Sequence, residues 1–166
     1  WLRGDSATAG TRRRAGATRD REQAKRAEPW FRSRMWVRAV SHGGWKDAEL
    51  AALWDAEEDA VVRLAVLEAL GKDADGKVLA RLVEEALAGS NDYVRRAAIE
   101  ACARIGGAPG AESLVQVLKK AVAGDTGWKN PNNVLVAATT AAKELLDLRL
   151  VEPLAAVFEK NDANNS

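Results

Sequence analysis

One helical pattern recurs along the chain, and this recurrence limits the possible folds more than any other feature. In residues 91–106, apolar side chains fall at positions i, i+3, i+4, i+7, i+8 and i+11, which places them in one stripe along a helix. The stripe consists of Val94, Ala97, Ala98, Ala101, Cys102 and Ile105. Because most of these side chains are small, a neighbouring helix can approach closely. We therefore expect stacked helices, with Ala97 and Ala101 buried where helices cross.

Counterparts of this helix lie on both sides of it. Residues 62–70 match residues 94–102 position for position, and residues 134–142 carry the same stripe 40 residues further on. A second kind of helix alternates with these copies, because residues 79–89 align with residues 114–124. Partial copies of this second kind are residues 50–54 and 150–158. Such alternation is typical of an α-solenoid, so the sequence predicts an all-α fold of antiparallel helix pairs stacked in a right-handed superhelix.

The repeated residues resemble the HEAT-repeat family in its short bacterial form. The resemblance rests on Val62-Arg63, Val94-Arg95, the alanine pairs Ala65/Ala69 and Ala97/Ala101, and residues 150–154. It covers roughly residues 29–160. The third copy departs from the pattern, because Leu135 stands where the other copies carry Arg63 and Arg95. The resemblance implies a repeat scaffold and does not identify what that scaffold binds.

Composition divides the chain near residue 28. Residues 1–40 carry eleven Lys and Arg against four Asp and Glu, whereas the remainder carries fourteen against twenty. Residues 1–28 are rich in Arg, Ala, Gly and Thr, and we expect a basic segment that is disordered or poorly packed, with a helix possible from residue 19. The repeat domain is expected over residues 29–166, with about three and a half helix pairs.

Seven or eight helices are expected after residue 28. They are residues 30–40, 46–55, 59–71, 76–88, 91–105, 111–123, 132–146 and 149–160. Residues 30–40 are interpreted as a divergent copy of the second kind of helix. The last helix has no partner before the chain stops, so we expect a fragment truncated at its C-terminus, with apolar surface exposed at that end.

Catalytic or membrane functions find little support in the residue types present. The single histidine, His42, precedes two glycines at a helix end and is interpreted as part of a helix cap. The single cysteine, Cys102, lies on the apolar stripe and is interpreted as packing. No apolar run approaches the roughly 20 residues needed to cross a bilayer. We therefore expect no enzyme, no cofactor and no metal site, with the cytoplasm as the default compartment.

The favoured function is a non-catalytic protein-interaction scaffold that uses the curved surface of the solenoid. One alternative is nucleic-acid binding through Arg12, Arg13 and Arg14 in the basic segment. Another is an accessory subunit resembling the HEAT-like bilin lyases, although no residue marks a chromophore site. The partner is expected to be a protein, and the chain a monomer or part of a larger multidomain chain.

A candidate binding surface is expected where the third repeat loses its polar cover. The polar row Arg96, Glu100 and Arg104 becomes Val136, Thr140 and Glu144, beside a long connection over residues 124–132. Three explanations remain open: the connection folds over Leu135 and Val136, a further repeat covers them, or they bind a partner. On the last hypothesis the binding residues are Arg63, Arg95, Arg96, Trp128, Lys129, Leu135 and Val136.

Overall fold

The structure is a computed structural model, and it describes residues 16, 18–71, 74–123 and 131–164 of the 166-residue chain. Its helices are α1 (residues 18–26), α2 (Pro29–Ser41), α3 (Asp47–Ala56), α4 (Ala60–Ala69), α5 (Gly76–Ala88), α6 (Asp92–Ile105), α7 (Gly107–Ala123), α8 (Pro131–Leu145) and α9 (Val151–Asn164). A 3-10 turn at Leu148–Leu150 precedes α9. These ranges contain no strand, so the predicted all-α fold is confirmed.

The chain divides into two compact units, the first ending at Ala69 and the second beginning at Leu70. In the second unit, α5 contacts α6 and α7, α6 contacts α7 and α8, and α7 contacts α8 and α9. Each helix therefore packs against its partner in the pair and against the equivalent helix of the next pair. This pattern of neighbours defines stacked repeats, and the α-solenoid architecture is the one predicted.

In the first unit, α4 packs against α2 and α3. The contact between α2 and α4 is equivalent to the contact between α6 and α8, so α2 belongs to the first kind of helix. The interpretation of residues 30–40 as the second kind was wrong. Met35, Ala39 and Val40 are buried. They stand 30 residues before Ala65, Ala69 and Leu70, which belong to the first kind.

Helix α1 packs into the first unit. Ala24 is fully buried, and Arg21 Nη1 lies 2.8 Å from Glu49 Oε1 of α3. The buried Asp20 Oδ2 lies 2.8 Å from His42 Nε2 and 3.1 Å from Arg38 Nε. Residues 18–26 are therefore packed, contrary to the expectation for residues 1–28. Residues 1–15 and 17 lie outside the described ranges.

The small residues of α6 allow close contact with its neighbours. Ala101 is fully buried, as predicted, but Ala97 is only partly buried because it borders the polar row of Arg96 and Glu100. Where α7 crosses α6, a Cβ atom on Gly110 would overlap the carbonyl oxygen of Cys102. This crossing therefore requires a residue without a side chain.

Candidate functional site

Arg95, the arginine of the second Val-Arg pair, lies inside the protein with only 3% of its surface exposed. Its Nε donates a hydrogen bond to the carbonyl oxygen of Leu87 at 3.3 Å, and its Nη2 donates to that of Gly89. Its Nη1 lies 2.8 Å from Asp92 Oδ1. Leu87 and Gly89 mark the end of α5, where the helix dipole is negative and carbonyl groups lack helical partners. Arg95 thus joins α5 to α6.

Arg63 makes the equivalent connection in the first unit. Its Nε donates to the carbonyl oxygen of Glu57, the residue that follows α3, at 3.1 Å. Its guanidinium carbon lies 4.9 Å from the ring centroid of Trp54, within the range of a cation–π contact. Trp54 is fully buried. Both arginines of the Val-Arg pairs therefore hold together the two helices of a pair.

Arg96 and Val136 lie together at the surface, in a groove between α6 and α8. Arg96 Nε is 2.8 Å from Glu100 Oε1 on the same helix, and both side chains are exposed. On the α8 side, Val136 is 65% exposed. This α6–α8 groove has a volume of about 350 Å³. Its lining consists of Arg96, Glu100, Ala103, Val136, Ala137, Thr140, Ala141 and Glu144.

The hydroxyl groups of α8 near this groove are bonded within their own helix. Thr140 Oγ1 donates to the carbonyl oxygen of Val136 at 2.8 Å, and Thr139 Oγ1 lies 3.0 Å from the carbonyl oxygens of Leu135 and Val136. Hydroxyl groups bonded in this way lose little when water is removed. Removing water from the α8 side of the groove therefore costs little free energy. The half-buried Leu135 adjoins this side in sequence.

Trp128 and Lys129, the other two residues predicted for this surface, lie outside the described residues, as does the whole of residues 124–130. Their part in the surface stays a prediction. By contrast, the structure brings together Arg96 and Val136 on the same groove, and it places Arg95 in the interior of the second unit.

A second apolar surface lies between α8 and the start of α9, around a cavity of about 450 Å³. Its exposed large apolar side chains are Leu146, Leu148, Val151 and Phe158. The sequence predicted exposed apolar surface at this end of the repeats but did not name these residues. The available signal was Leu146, which replaces the helix-ending glycine Gly106 of the second repeat.

The single cysteine and the single histidine each have a structural role. Cys102 is fully buried, and its Sγ donates to the carbonyl oxygen of Ala98 at 3.3 Å. Burial raises the pKa of its thiol to about 12, so the thiol is protonated at neutral pH. The backbone N–H of His42 donates to the carbonyl oxygen of Arg38 at the end of α2, as predicted for a cap. In the described ranges no three His, Cys, Asp or Glu side chains are grouped to hold a metal ion.

None of the described helices is both long and apolar enough to cross a bilayer.

Comparison with known proteins identifies the repeats. The family model for HEAT repeats matches residues 48–130, which is half of the chain and extends from α3 through α7. No curated protein and no solved structure matched the chain. HEAT repeats are commonly protein-interaction scaffolds and are generally non-catalytic. The matched span contains both Val-Arg pairs and helices α4 to α7, and the chain belongs to the HEAT-repeat family.

Proposed function

We propose that this chain is a non-catalytic scaffold that binds a partner protein in the α6–α8 groove. The observation that carries the proposal is the contrast between the two sides of the groove. The α6 side presents the Arg96–Glu100 ion pair, whereas the α8 side presents Val136 and internally bonded threonines. An apolar side chain beside an arginine is a combination that protein interfaces favour.

Both sides of the α6–α8 groove can exchange their present contacts for contacts with a partner at a small cost in free energy. An exposed ion pair four residues apart on a helix contributes only about 0.3–0.5 kcal/mol, so Arg96 can exchange Glu100 for a partner carboxylate. Covering the exposed part of Val136 contributes roughly 1 kcal/mol. The groove therefore favours a partner segment with an apolar side chain and a neighbouring acidic group. Trp128 and Lys129, which precede α8 in sequence, would add an aromatic and a cationic group to the same partner contact.

The test restores the polar row of the second repeat in the third. The variant Val136→Arg with Thr140→Glu copies the Arg96–Glu100 pair onto α8, so stability should hold or rise by a few tenths of a kcal/mol. A photo-crosslinking residue at position 144, within the groove, should capture a discrete partner in extracts of cells that express the chain. The double variant should abolish that product.

The control places the same crosslinker at position 61, where an exposed valine of α4 lies outside the groove. Identical products from positions 61 and 144 would place binding elsewhere on the protein. A product that survives Val136→Arg with Thr140→Glu would likewise exclude the α6–α8 groove. Adding Trp128→Ala to the series separates packing from binding, because loss of stability without loss of capture would assign Trp128 to packing.

A further inference from the structure

Another groove of the second unit lies between α5 and α7. Two cavities form it, with volumes of about 470 Å³ and about 170 Å³. The larger cavity lies beside the first turns of both helices, and the smaller one lies further along them. Ala80, Ser113 and Gln116 line both cavities, so the two are continuous, and we call them together the α5–α7 groove. None of its lining residues belongs to the α6–α8 groove, so neither surface depends on the other.

The stacking of the repeats does not fill the α5–α7 groove. Helix α7 already contacts both helices of the preceding pair, α5 and α6, as well as α8 and α9. An additional helix pair would therefore extend the stack beyond α9 and would not enter the space between α5 and α7. The groove is open between two complete pairs, wherever the stack of repeats ends.

The floor of this groove contains a buried hydroxyl group without a partner. Ser113 is only 4% exposed, and its Oγ forms no hydrogen bond with any other described residue. Burying a hydroxyl group without a hydrogen bond costs free energy. The repeat does not require this residue, because the equivalent residue of α5, 35 positions earlier, is Val78. A serine that the packing does not require, facing a groove, indicates that a ligand supplies its hydrogen bond.

Gln116 lies one turn later on α7, at the edge of the same groove, and it is exposed. Its amide group both donates and accepts hydrogen bonds. Residues three apart on a helix have Cβ atoms about 5–6 Å apart, so one short segment can reach both Ser113 and Gln116. The N–H and C=O groups of an extended segment are free to bond them, whereas a helix uses these groups internally. The α5–α7 groove therefore suits an extended segment better than a helix.

Several charged side chains line the groove, and two carboxylates among them are already bonded. Asp75 Oδ1 accepts a hydrogen bond from Lys77 N at the start of α5, at 2.8 Å. Glu112 Oε1 lies 3.0 Å from Arg149 Nη1. A helix N-terminus and an arginine therefore offset these two negative charges.

The other charged side chains of the groove are those of Lys77, Glu84 and Lys120, which form no ion pair with another described residue. Two ammonium groups against one carboxylate favour an acidic ligand. The alignment of α5 with α7 places Lys77 level with Glu112, eight residues before Lys120. Eight residues of helix rise about 12 Å. An extended segment advances about 3.3 Å per residue, so acidic residues four positions apart would reach both lysines.

From these contacts we infer that the α5–α7 groove binds an extended segment of a partner protein that carries two acidic residues four positions apart. The main chain of this segment bonds Ser113 and Gln116, and its acidic side chains pair with Lys77 and Lys120. Parts of the chain itself match the groove less well. At most one acidic residue occurs in each stretch outside the described ranges, namely residues 1–15, 17, 72–73, 124–130 and 165–166.

The test titrates the ¹⁵N-labelled full chain with the peptide acetyl-Glu-Val-Ala-Val-Glu-amide. Its β-branched residues favour an extended conformation, and its glutamates are four positions apart. We expect resonance shifts at Lys77, Ser113, Gln116 and Lys120, with a dissociation constant on the order of 1 mM. A control peptide with lysine in place of both glutamates should bind at least about tenfold more weakly. Methylation of the three inner amide nitrogens, which removes main-chain donors, should weaken binding at least about fivefold.

Ser113→Ala tests the hydroxyl group in the floor of the groove. It removes a hydrogen bond to the peptide, so the affinity should fall about fivefold. The same change removes the cost of burying an unbonded hydroxyl group, so the midpoint of thermal unfolding should hold or rise. Ser33→Ala is the control, because Ser33 Oγ donates to Asp59 Oδ2 in the first unit. That variant should lower the midpoint slightly and leave the peptide affinity unchanged.

A reversal of charge makes the test specific to the two lysines. Lys77→Glu with Lys120→Glu should reverse the preference, so that the lysine peptide binds more tightly than the glutamate peptide. Damage to the fold would weaken the binding of both peptides and cannot produce this reversal. Lys119→Glu is the matched control, since Lys119 is exposed, adjoins Lys120 and does not line the groove. It should leave the preference unchanged.

Absence of binding at about 10 mM peptide, or equal binding of the two peptides, would overturn the inference. An affinity that neither Ser113→Ala nor methylation of the amide nitrogens lowers would exclude an extended main chain in the groove. Deleting residues 1–15, which leaves α1 in place, covers the remaining occupant. If this deletion raises the peptide affinity at least about tenfold, the groove holds that segment of the chain instead of a partner protein.

Discussion

Arg63 and Arg95 each occupy the fourth position of a helix, where a positive charge opposes the dipole of that helix. Both are stabilised there because a connection of only three residues brings the end of the preceding helix beside them. The sequence contained this signal, an arginine in a first turn after a short connection. Both arginines were instead assigned to the candidate binding surface. The carbonyl groups that bind them belong to the backbone, and a pattern of side chains does not show them.

Replacing Arg95 by alanine should lower the free energy of unfolding by about 2–4 kcal/mol. The change removes bonds to the carbonyl oxygens of Leu87 and Gly89 and leaves those groups without the cation that binds them. The matched control is Arg96→Ala, one residue away, which removes an exposed ion pair and should cost under about 0.5 kcal/mol. Urea unfolding followed by circular dichroism measures both, and equal losses would contradict the connecting role of Arg95.

At the scale of whole helices, apolar periodicity was sufficient to place six of the helices after residue 28 to within about two residues. Helix α9 ends at Asn164, four residues after the predicted end. Helix α7 starts at Gly107, four residues before the predicted start, because the glycine-rich stretch was assigned to a loop. Gly110 is required because α7 approaches α6 closely at this residue. The distance between the two helices is a property of the tertiary structure, and the helical pattern does not contain it. Helix α1 was not expected to be packed, because charged contacts through Asp20 and Arg21 hold it.

Part of the candidate site could likewise be predicted from the sequence, and part of it could not. Comparing the rows Arg96–Glu100 and Val136–Thr140 predicted where polar cover is lost, and the structure places both rows along one groove. The rows meet because α6 and α8 are equivalent helices of successive pairs, in direct contact. The strained conformation of Leu146 could not be predicted, because leucine in other contexts avoids it and only the backbone reveals it.

Gly110→Ala tests the crossing of α6 and α7. The added methyl group would overlap the carbonyl oxygen of Cys102, so the helices must separate, at a cost of about 1–3 kcal/mol or more. Gly71→Ala is the control, since a Cβ atom there meets nothing within 4 Å and stability should change little. Thermal unfolding of the two variants measures the difference. If Gly110→Ala is as stable as Gly71→Ala, the two helices are farther apart than the structure shows.

At the scale of the whole molecule, the basic excess of residues 1–40 serves folding in part. Arg21 pairs with Glu49, and Arg38 lies 3.1 Å from the buried carboxylate of Asp20. Both ion pairs join elements of the first unit, and the Arg21 guanidinium also lies 3.5 Å from the ring centroid of Trp45. A basic segment that makes such contacts is weaker support for nucleic-acid binding than its net charge suggests. The arginines that remain for that alternative, Arg12, Arg13 and Arg14, lie outside the described residues.

Deleting residues 1–28 separates these two uses of the basic charge. The deletion removes α1, including the buried Ala24 and the Arg21–Glu49 pair, so the midpoint of thermal unfolding should fall by at least about 3 °C. The control, Arg12→Ser with Arg13→Ser and Arg14→Ser, removes charge but keeps α1, and should preserve the midpoint. An unchanged midpoint after the deletion would show that α1 adds no stability.

The nucleic-acid alternative requires that the triple variant reduce the affinity for duplex DNA and the salt dependence of that affinity. The slope of log affinity against log salt should fall by about 0.9 for each phosphate that the arginines no longer neutralise. Equal affinity and slope in the unaltered chain and the triple variant would exclude a role for these arginines, because neutralising phosphate is the contribution they can make.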